Sequence, residues 1–432
     1  MHQRPTTEAH TDAGAMAGSA GVPVEFELDV LELFMEAMRS AVRYESSAVG
    51  TENLLSALVM GETDAGAAIA PGIRKPGSLS GLVSGRAGTG GAAWANDDGD
   101  GGTSVDATDE DEAEVTAAWR EAQWRLRLAA GQSRGSRKAK EPADENDRPL
   151  PGMTYATRTC LLLALTSARA EGTVSVRCRH VARALLNLPA SRAREALVVE
   201  KLDLAAAATA LDALDAKASA ETEGPESRGV LLLRRAGTLG KSGNRLSRAI
   251  ASWTAGSSIY GSPVMFAVSV EAARQAARCG RGKAEPVDLL LGILALDRAL
   301  AVAGRSLPED LASVSTAVEI LRRHGVRHGS LARSATIGTP VGGVDQTRLT
   351  DSAKQARATA QLIAAEQGSP TVGTVHLLAA LLQAPAVDAE TGDAEAGDAE
   401  TWDEGLTVGR LLAAERVDIA ALRAELGPRS GA

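Results

Sequence analysis

Few residues in this chain have the type and spacing that chemistry needs, and each has an ordinary alternative. The nearest approach to a phosphate-binding loop is A-G-T-L-G-K-S-G, in which Gly240, Lys241 and Ser242 supply the Gly-Lys-Ser. Such a loop cradles phosphates with backbone N–H groups and needs a glycine five residues before Gly240, where this chain has Arg235. No apolar strand ending in acidic residues follows to hold magnesium, so a basic linker that neither binds nor hydrolyses ATP is expected. His324 and His328 stand four apart in R-R-H-G-V-R-H-G, but Gly325 and Gly329 disfavour a helical metal site, and solvated loop histidines are expected. His180 and His376 fall at the starts of helices and read as part of turn packing. Cys160, Cys178 and Cys279 form neither a disulfide framework nor a C-x-x-C pair, which suits a reducing compartment. No Ser/His/Asp or Cys/His constellation can be placed, so no catalytic residue, cofactor or metal is expected. That leaves Glu52, an exposed first-turn acid behind Gly50 and Thr51, where a carboxylate favours the positive end of the helix dipole.

The segment carrying Glu52 is written twice. V-G-T-E-N-L-L-S-A-L occupies 49–58 and V-G-T-V-H-L-L-A-A-L occupies 372–381, each behind an Ala-rich stretch. In 28–44 Leu31, Phe34, Met35, Met38, Ala41 and Val42 recur at helical steps, Gly50 permits a turn, and Thr51 is expected to be the N-cap of a second helix bearing Leu54, Leu55 and Leu58. Near the other end Ala353, Ala356, Ala360 and Ile363 trace one face, and Leu377, Leu378, Leu381 and Leu382 the next. Two weaker copies lie between, at 155–188 with breaks at Gly172 and Thr173, and at 266–296 with breaks at Gly280 and Gly282 and Pro286 near the next helix start. Four helical repeats result, each with an apolar-periodic tail; that of the first is delayed to E-A-E-V-T-A-A-W-R-E-A-Q-W-R-L-R-L-A-A-G. Trp119 and Trp124 of that tail read as packing residues on one helix.

Composition agrees with helices. Aromatic residues make up only 3% of the 432, so the cores must be built from Ala, Leu and Val, which suits close-packed helices better than sheets. A formal charge of −9 argues against nucleic acid or anionic lipid as a partner, and the basic run 234–248, without interleaved aromatics, reads as a soluble tether. The best apolar stretch is interrupted by Asp297 and Arg298, and the first 21 residues have no apolar core, so neither a membrane span nor a signal peptide is expected, and a cytoplasmic location is. Residues 61–112, rich in Gly, Ala and Asp, read as a disordered insertion in the first repeat.

V-G-T-E-N-L-L-S-A-L, C-R-H-V-A-R-A-L-L-N-L, E-P-V-D-L-L-L-G-I-L and V-G-T-V-H-L-L-A-A-L-L, each following an Ala-rich helix, resemble the N-terminal repeat domain of the Clp chaperones. The likeness is closest at 348–378 and covers roughly two-thirds of the chain. It implies an all-α fold of tandem pseudo-symmetric Clp N-like domains, two helical repeats in each. Expected boundaries are a disordered terminus at 1–25, a first domain at 26–216, a linker at 217–259 in which G-V-L-L-L-R-R-A-G could add a short helix, and a second domain at 260–428 with an acidic loop near 386–405. No motor follows in this sequence, so the implied role is a non-enzymatic binding protein that recruits, shelters or competes for peptides, adaptors or small ligands of Clp chaperone N domains. An accessory subunit docking on the Clp machine and an enzyme with an unrecognised site are the alternatives. In ClpC-type domains the Glu of the G-T-E-H motif helps bind phosphorylated arginine. Thr51 and Glu52 are the matching residues here, with Asn53 in place of the His, while Arg179, Val287 and Val375 hold the position of Glu52 in the other repeats. Glu52 is thus either a guanidinium acceptor or only an acid suited to its helix end.

Overall fold

The computed structural model describes residues 24–71, 77, 79, 81, 97, 107–135, 150–218, 224–239, 261–337, 349–383 and 407–427. The chain is all-α: 70% of the described residues are helical and 3% lie in strands, in 18 helices and four two-residue strands. Most of the expected insertion 61–112, the expected loop 386–405 and the Lys241 segment lie outside the described residues.

The first half begins with β1 (Glu25–Phe26), α1 (Leu28–Arg43), β2 (Ala48–Val49), α2 (Thr51–Met60) and α3 (Asp64–Ile69). After the long α4 (Asp109–Gly135) it continues with β3 (Gly152–Met153), α5 (Tyr155–Ala170), β4 (Ser175–Val176), α6 (Cys178–Asn187), α7 (Arg192–Val199) and α8 (Leu204–Ala218). Leu31, Phe34 and Met38 of α1 meet Leu54, Leu55 and Leu58 of α2 and Leu161, Leu165 and Leu185 in one core, all fully or almost fully buried. Val42, expected on the buried face of α1, is instead 51% exposed in the last turn. Residues 64–69 and 109–112, expected to be disordered, form α3 and the start of α4, and the delayed tail of the first repeat is α4 itself, with Val115, Ala118 and Trp119 in that core.

The second half contains α9 (Arg228–Arg235), α10 (Pro263–Arg278), α11 (Pro286–Val302), α12 (Glu309–Ala312), α13 (Ala317–Arg323), α14 (His328–Ser334), α15 (Asp351–Glu366), α16 (Thr374–Gln383), α17 (Val408–Ala414) and α18 (Ile419–Leu426). α11 carries leucine or isoleucine on nearly every side, and such a helix belongs at the centre of a core. Leu289, Leu290, Leu291 and Ile293 are all buried there. α9 falls inside the stretch expected as a linker, yet buries Val230 and Leu233 in this second core.

The four helix pairs, α1/α2, α5/α6, α10/α11 and α15/α16, are closed by the same devices. Each first helix ends with a residue of left-handed backbone two positions past its end: Glu45, Gly172, Gly280 and Gly368, with φ of 54°, 73°, 87° and 66°. The next residue's N–H then reaches back to close the helix end, from Ser46 to Ala41 O at 2.9 Å, Thr173 to Ala168 O at 3.0 Å, Arg281 to Ala276 O at 2.8 Å and Ser369 to Ala364 O at 2.8 Å. Each second helix begins with the preceding backbone N–H donating to the third helical side chain. Gly50 donates to Asn53 Oδ1 at 2.9 Å, Arg177 to His180 Nδ1 at 2.8 Å, Glu285 to Asp288 Oδ2 at 2.9 Å and Gly373 to His376 Nδ1 at 2.9 Å. His180 and His376 thus do serve the turns.

The pairs interlock in twos. β1, leading into α1, runs parallel to β4, which links α5 to α6, with Glu25 opposite Ser175 and Phe26 opposite Val176. β2, linking α1 to α2, runs parallel to β3, which leads into α5, with Ala48 opposite Gly152 and Val49 opposite Met153. In the second half Ala284 of one link forms a parallel bridge with Leu349 of the other lead-in, and Ser262 Oγ of the remaining lead-in donates to Val372 O at 2.5 Å.

The two cores meet through charge. β1, the N-cap of α1, α4, α10 and α11 supply Glu25, Glu27, Glu114, Glu121, Glu271, Arg274, Arg278 and Arg298, every one of them largely buried. Arg274 donates to Glu25 Oε2 at 2.8 Å and, through Nε, to both oxygens of Glu121 at 2.9 Å. Arg278 reaches Glu121 at 3.1 Å and pairs with Glu114, and Arg298 reaches Glu27 at 3.1 Å. Among the described residues a small apolar cluster joins the halves, Trp124 and Leu128 of α4 against Ala273 and Ala277 of α10, so Trp119 and Trp124 do pack from one helix, Trp119 in the first core and Trp124 in this cluster.

Candidate functional site

Thr51, expected to be the N-cap, is instead the first residue of α2, with Gly50 at the cap and Glu52 next, because the acceptor that closes this helix start is Asn53. Gly50 is extended, with φ of −90° and ψ of 171°, and its N–H is taken by Asn53. The Glu52 side chain folds back over Gly50, where a Cβ would come within 2.1 Å of the carboxylate, so any other residue there would push the Glu52 side chain out of this place. Glu52 is 6% exposed, a correction to the expected exposed position.

The groups that would recognise a ligand here already have partners from the same chain. Asp97, fully buried, is set between the starts of α2, α5 and α7. Its Oδ2 accepts the Thr51 N–H at 2.8 Å and the Thr51 hydroxyl at 3.0 Å, its Oδ1 accepts the Arg192 N–H at 2.9 Å, and its carbonyl accepts the Ala156 N–H at 2.9 Å. Helix N-termini present unpaired N–H groups and the positive end of the dipole, so a buried carboxylate is the expected occupant of such a junction. The Thr51 hydroxyl in turn accepts the Ala193 N–H at 3.0 Å, so its proton and one of its two lone pairs are taken. Arg192 Nη1 donates to Glu52 Oε1 at 3.3 Å, while Glu52 Oε2 has no hydrogen-bond partner among the described residues. Burial raises the Glu52 carboxyl, the Asp97 charge raises it further, and Arg192 offsets part of this, leaving it at about 7.

The other three starts differ as their residues require. Arg179 is held by Glu171 at 2.7 Å and Asp215 at 2.8 Å, and Val287 is buried in the second core with Val375 packed against it. None of these presents a carboxylate. At α6 the Cys178 N–H donates to Asp29 Oδ2 at 3.2 Å, beside a cavity of about 600 Å³ that Glu171, Arg177, Arg179 and Lys217 help to line. The histidine expectations need correction. His324 is paired with Glu425 at 2.9 Å, and His328, far from solvated, is 9% exposed with Glu25 at 3.8 Å. Among the described residues no group of His, Cys, Asp and Glu is placed to hold a metal ion. Cys160, Cys178 and Cys279 are buried, which raises all three thiols and disfavours the thiolate a nucleophile needs.

Sequence reasoning missed Asp97 and Arg192. Asp97 lies in the acidic low-complexity stretch N-D-D-G-D-G-G, where no periodicity separates one aspartate from the next. The third helical position was legible in hindsight, since Asn53, His180, Asp288 and His376 all carry an acceptor. No helix among the described residues is long and apolar enough to cross a membrane. No family model, curated protein or solved structure gives a significant match to this chain.

Proposed function

We propose that this chain is a non-enzymatic binding protein of two tandem, pseudo-symmetric Clp N-like domains, which recruits, shelters or competes for the peptides, adaptors or small ligands of Clp chaperone N domains. The observation that supports this reading most is the crossed pairing, in which each lead-in meets the link of the other helix pair in both halves. Within it, the start of α2 is the position suited to a phosphorylated arginine. The phosphate would take the N–H groups now bonded to Asp97, and the guanidinium would take Glu52 in place of Arg192. Ligand and internal groups are then alternatives, so the apparent affinity is reduced by the cost of exchange.

Calorimetry with a phosphoarginine peptide tests this on the wild type, Glu52→Ala and Asp97→Ala, with circular dichroism to confirm helicity. Loss of the guanidinium acceptor removes a charge-assisted contact of roughly 1.5–3 kcal/mol, so Glu52→Ala should bind about tenfold to a hundredfold more weakly. Asp97→Ala should bind more tightly than the wild type. Equal affinity in the wild type and Glu52→Ala would reduce Glu52 to a structural acid. Pull-down from the native extract distinguishes the broader alternatives: stoichiometric Clp subunits indicate an accessory subunit, a spread of client proteins a recruiting one.

A further inference from the structure

Where the two cores meet, a cavity of about 100 Å³ lies among β1, α4, α10 and α14. Three side chains on its wall have polar atoms with no hydrogen-bond partner among the described residues. Gln275 of α10 is completely buried, and neither its amide nitrogen nor its oxygen is bonded. His328, at the start of α14, has no hydrogen bond at either ring nitrogen. Glu25 uses Oε2 for Arg274 and leaves Oε1 unbonded. Buried polar groups are nearly always satisfied, and three unsatisfied side chains converging on one cavity mark a place built to hold something.

The chemistry of the three narrows what that is. Gln275 sets a donor and an acceptor side by side on one planar group, and a single molecule satisfies both when it presents an acceptor and a donor in the matching order. Burial lowers the His328 imidazole, and Glu25 only partly opposes this, so it stays neutral down to about pH 4 and offers one N–H and one lone pair. Burial would raise the Glu25 carboxyl, but Arg298, Arg274 and Arg278 hold it well below the usual range, so its free oxygen is an anionic acceptor. Arg169, Arg278 and Arg333 also line the cavity, but each is paired with a carboxylate of the chain, Asp111, Glu114 and Glu110 respectively, so a carboxylate ligand would still face the Glu25 charge. An ammonium would leave the Gln275 N–H groups without an acceptor. The volume corresponds to about three water molecules at roughly 30 Å³ each, which limits an organic occupant to a handful of non-hydrogen atoms.

We propose that this cavity is a binding site for a small uncharged molecule with a carboxamide or urea head, paired in-plane with Gln275 and completed by Glu25 and His328. Because Glu25 belongs to the first half and Gln275 and His328 to the second, the ligand bonds to both and its binding holds the halves together. This site is independent of the one at Glu52.

Saturation-transfer NMR and thermal denaturation of the full chain with acetamide, and with acetate and methylammonium as charged isosteres, provide the test. Acetamide should bind saturably and raise Tm, and the two ions should not. Gln275→Leu removes both amide bonds and Gln275→Glu keeps the shape while removing the donor; each should weaken acetamide binding by about tenfold or more. Absence of saturable acetamide binding, an equal response to all three probes, acetamide binding that survives in both variants, or an acetamide-soaked crystal with only water in the cavity would each overturn the proposal.

Discussion

Glu45 occupies a place that three glycines fill in the other helix pairs. Its φ of 54° lies in the left-handed region, where the Cβ of a non-glycine residue crowds the backbone. It nevertheless supports the same closure, from the Ser46 N–H to Ala41 O. Glu45→Gly relieves the crowding and gives back part of the gain through the larger entropy of the unfolded chain, so a net stabilisation of about 0.5–1 kcal/mol is expected. Urea denaturation reads it directly. A destabilised Glu45→Gly would show that the Glu45 side chain contributes more than its backbone costs. Gly172 and Gly280 were legible in the sequence as breaks after helical runs, whereas Gly368 and Glu45 were not; nothing local distinguishes a glutamate in a left-handed turn from one on a helix surface.

At the scale of elements, α10 and α11 approach so closely that Gly292 has no room for a side chain. A Cβ there would lie 2.7 Å from Val268 O and 2.8 Å from Ala272 N, both backbone atoms that cannot step aside. Alanine in a helix is favoured over glycine by about 1 kcal/mol, but overpacking at such a contact costs roughly 1–3 kcal/mol. Gly292→Ala should therefore lower Tm, while Gly409→Ala in α17, whose nearest neighbour is Ile419 at 4.0 Å, should leave it unchanged or raise it. Similar shifts in both variants would remove the packing argument. The helices of all four pairs were legible because their apolar residues recur at helical spacing. α3 was not, since six residues with three alanines and a glycine carry no period, whereas the short helix suggested by G-V-L-L-L-R-R-A-G is α9. Which helices meet was beyond the pattern altogether: Glu121 and Arg274 look like surface charges in sequence, and only the approach of α4 to α10 turns them into a buried pair.

For the whole molecule, the charged layer between the cores makes stability depend on pH in a defined order. Burial alone would raise the Glu121 carboxyl, but Arg274, Arg125 and Arg278 outweigh it and bring it to about 2. A carboxyl held lower in the folded state stabilises above its ordinary value near 4.5 and loses that contribution as pH falls through the folded value. For Glu121 the loss falls between about 4.5 and 2 and is on the order of 3 kcal/mol. His328, lowered from 6.5 to about 4, likewise stabilises above 6.5 and loses this as the pH falls through 4. Glu114 runs the other way. Burial raises it, with Arg278 opposing and Glu25 reinforcing, to about 7, so between 7 and 4.5 its protonation favours the folded state and works against the loss from His328. Glu52, also held at about 7, acts in the same direction as Glu114, so stability should rise from pH 7 to 4.5 and fall steeply below. Glu121→Gln should be less stable at pH 7 because it leaves Arg274 short of a counter-charge, but should show a shallower fall below 4.5. Urea denaturation at several pH values and constant ionic strength measures both, and parallel acid limbs in the two proteins would exclude Glu121 as their source.

The pairing of β1 with β4 has a consequence for how the chain is made. Phe26 leaves the ribosome early, yet its neighbour Val176 is synthesised 150 residues later, and β2 must likewise wait for Met153. The first helix pair therefore cannot complete its own fold at the moment of its synthesis. Until the second pair emerges, Leu31, Phe34 and Met38 lack the Leu161, Leu165 and Leu185 that cover them. The nascent N-terminal segment spends that interval as an apolar surface in search of a cover, and a chain stopped short of residue 176 is a client for a chaperone before it is a protein of its own.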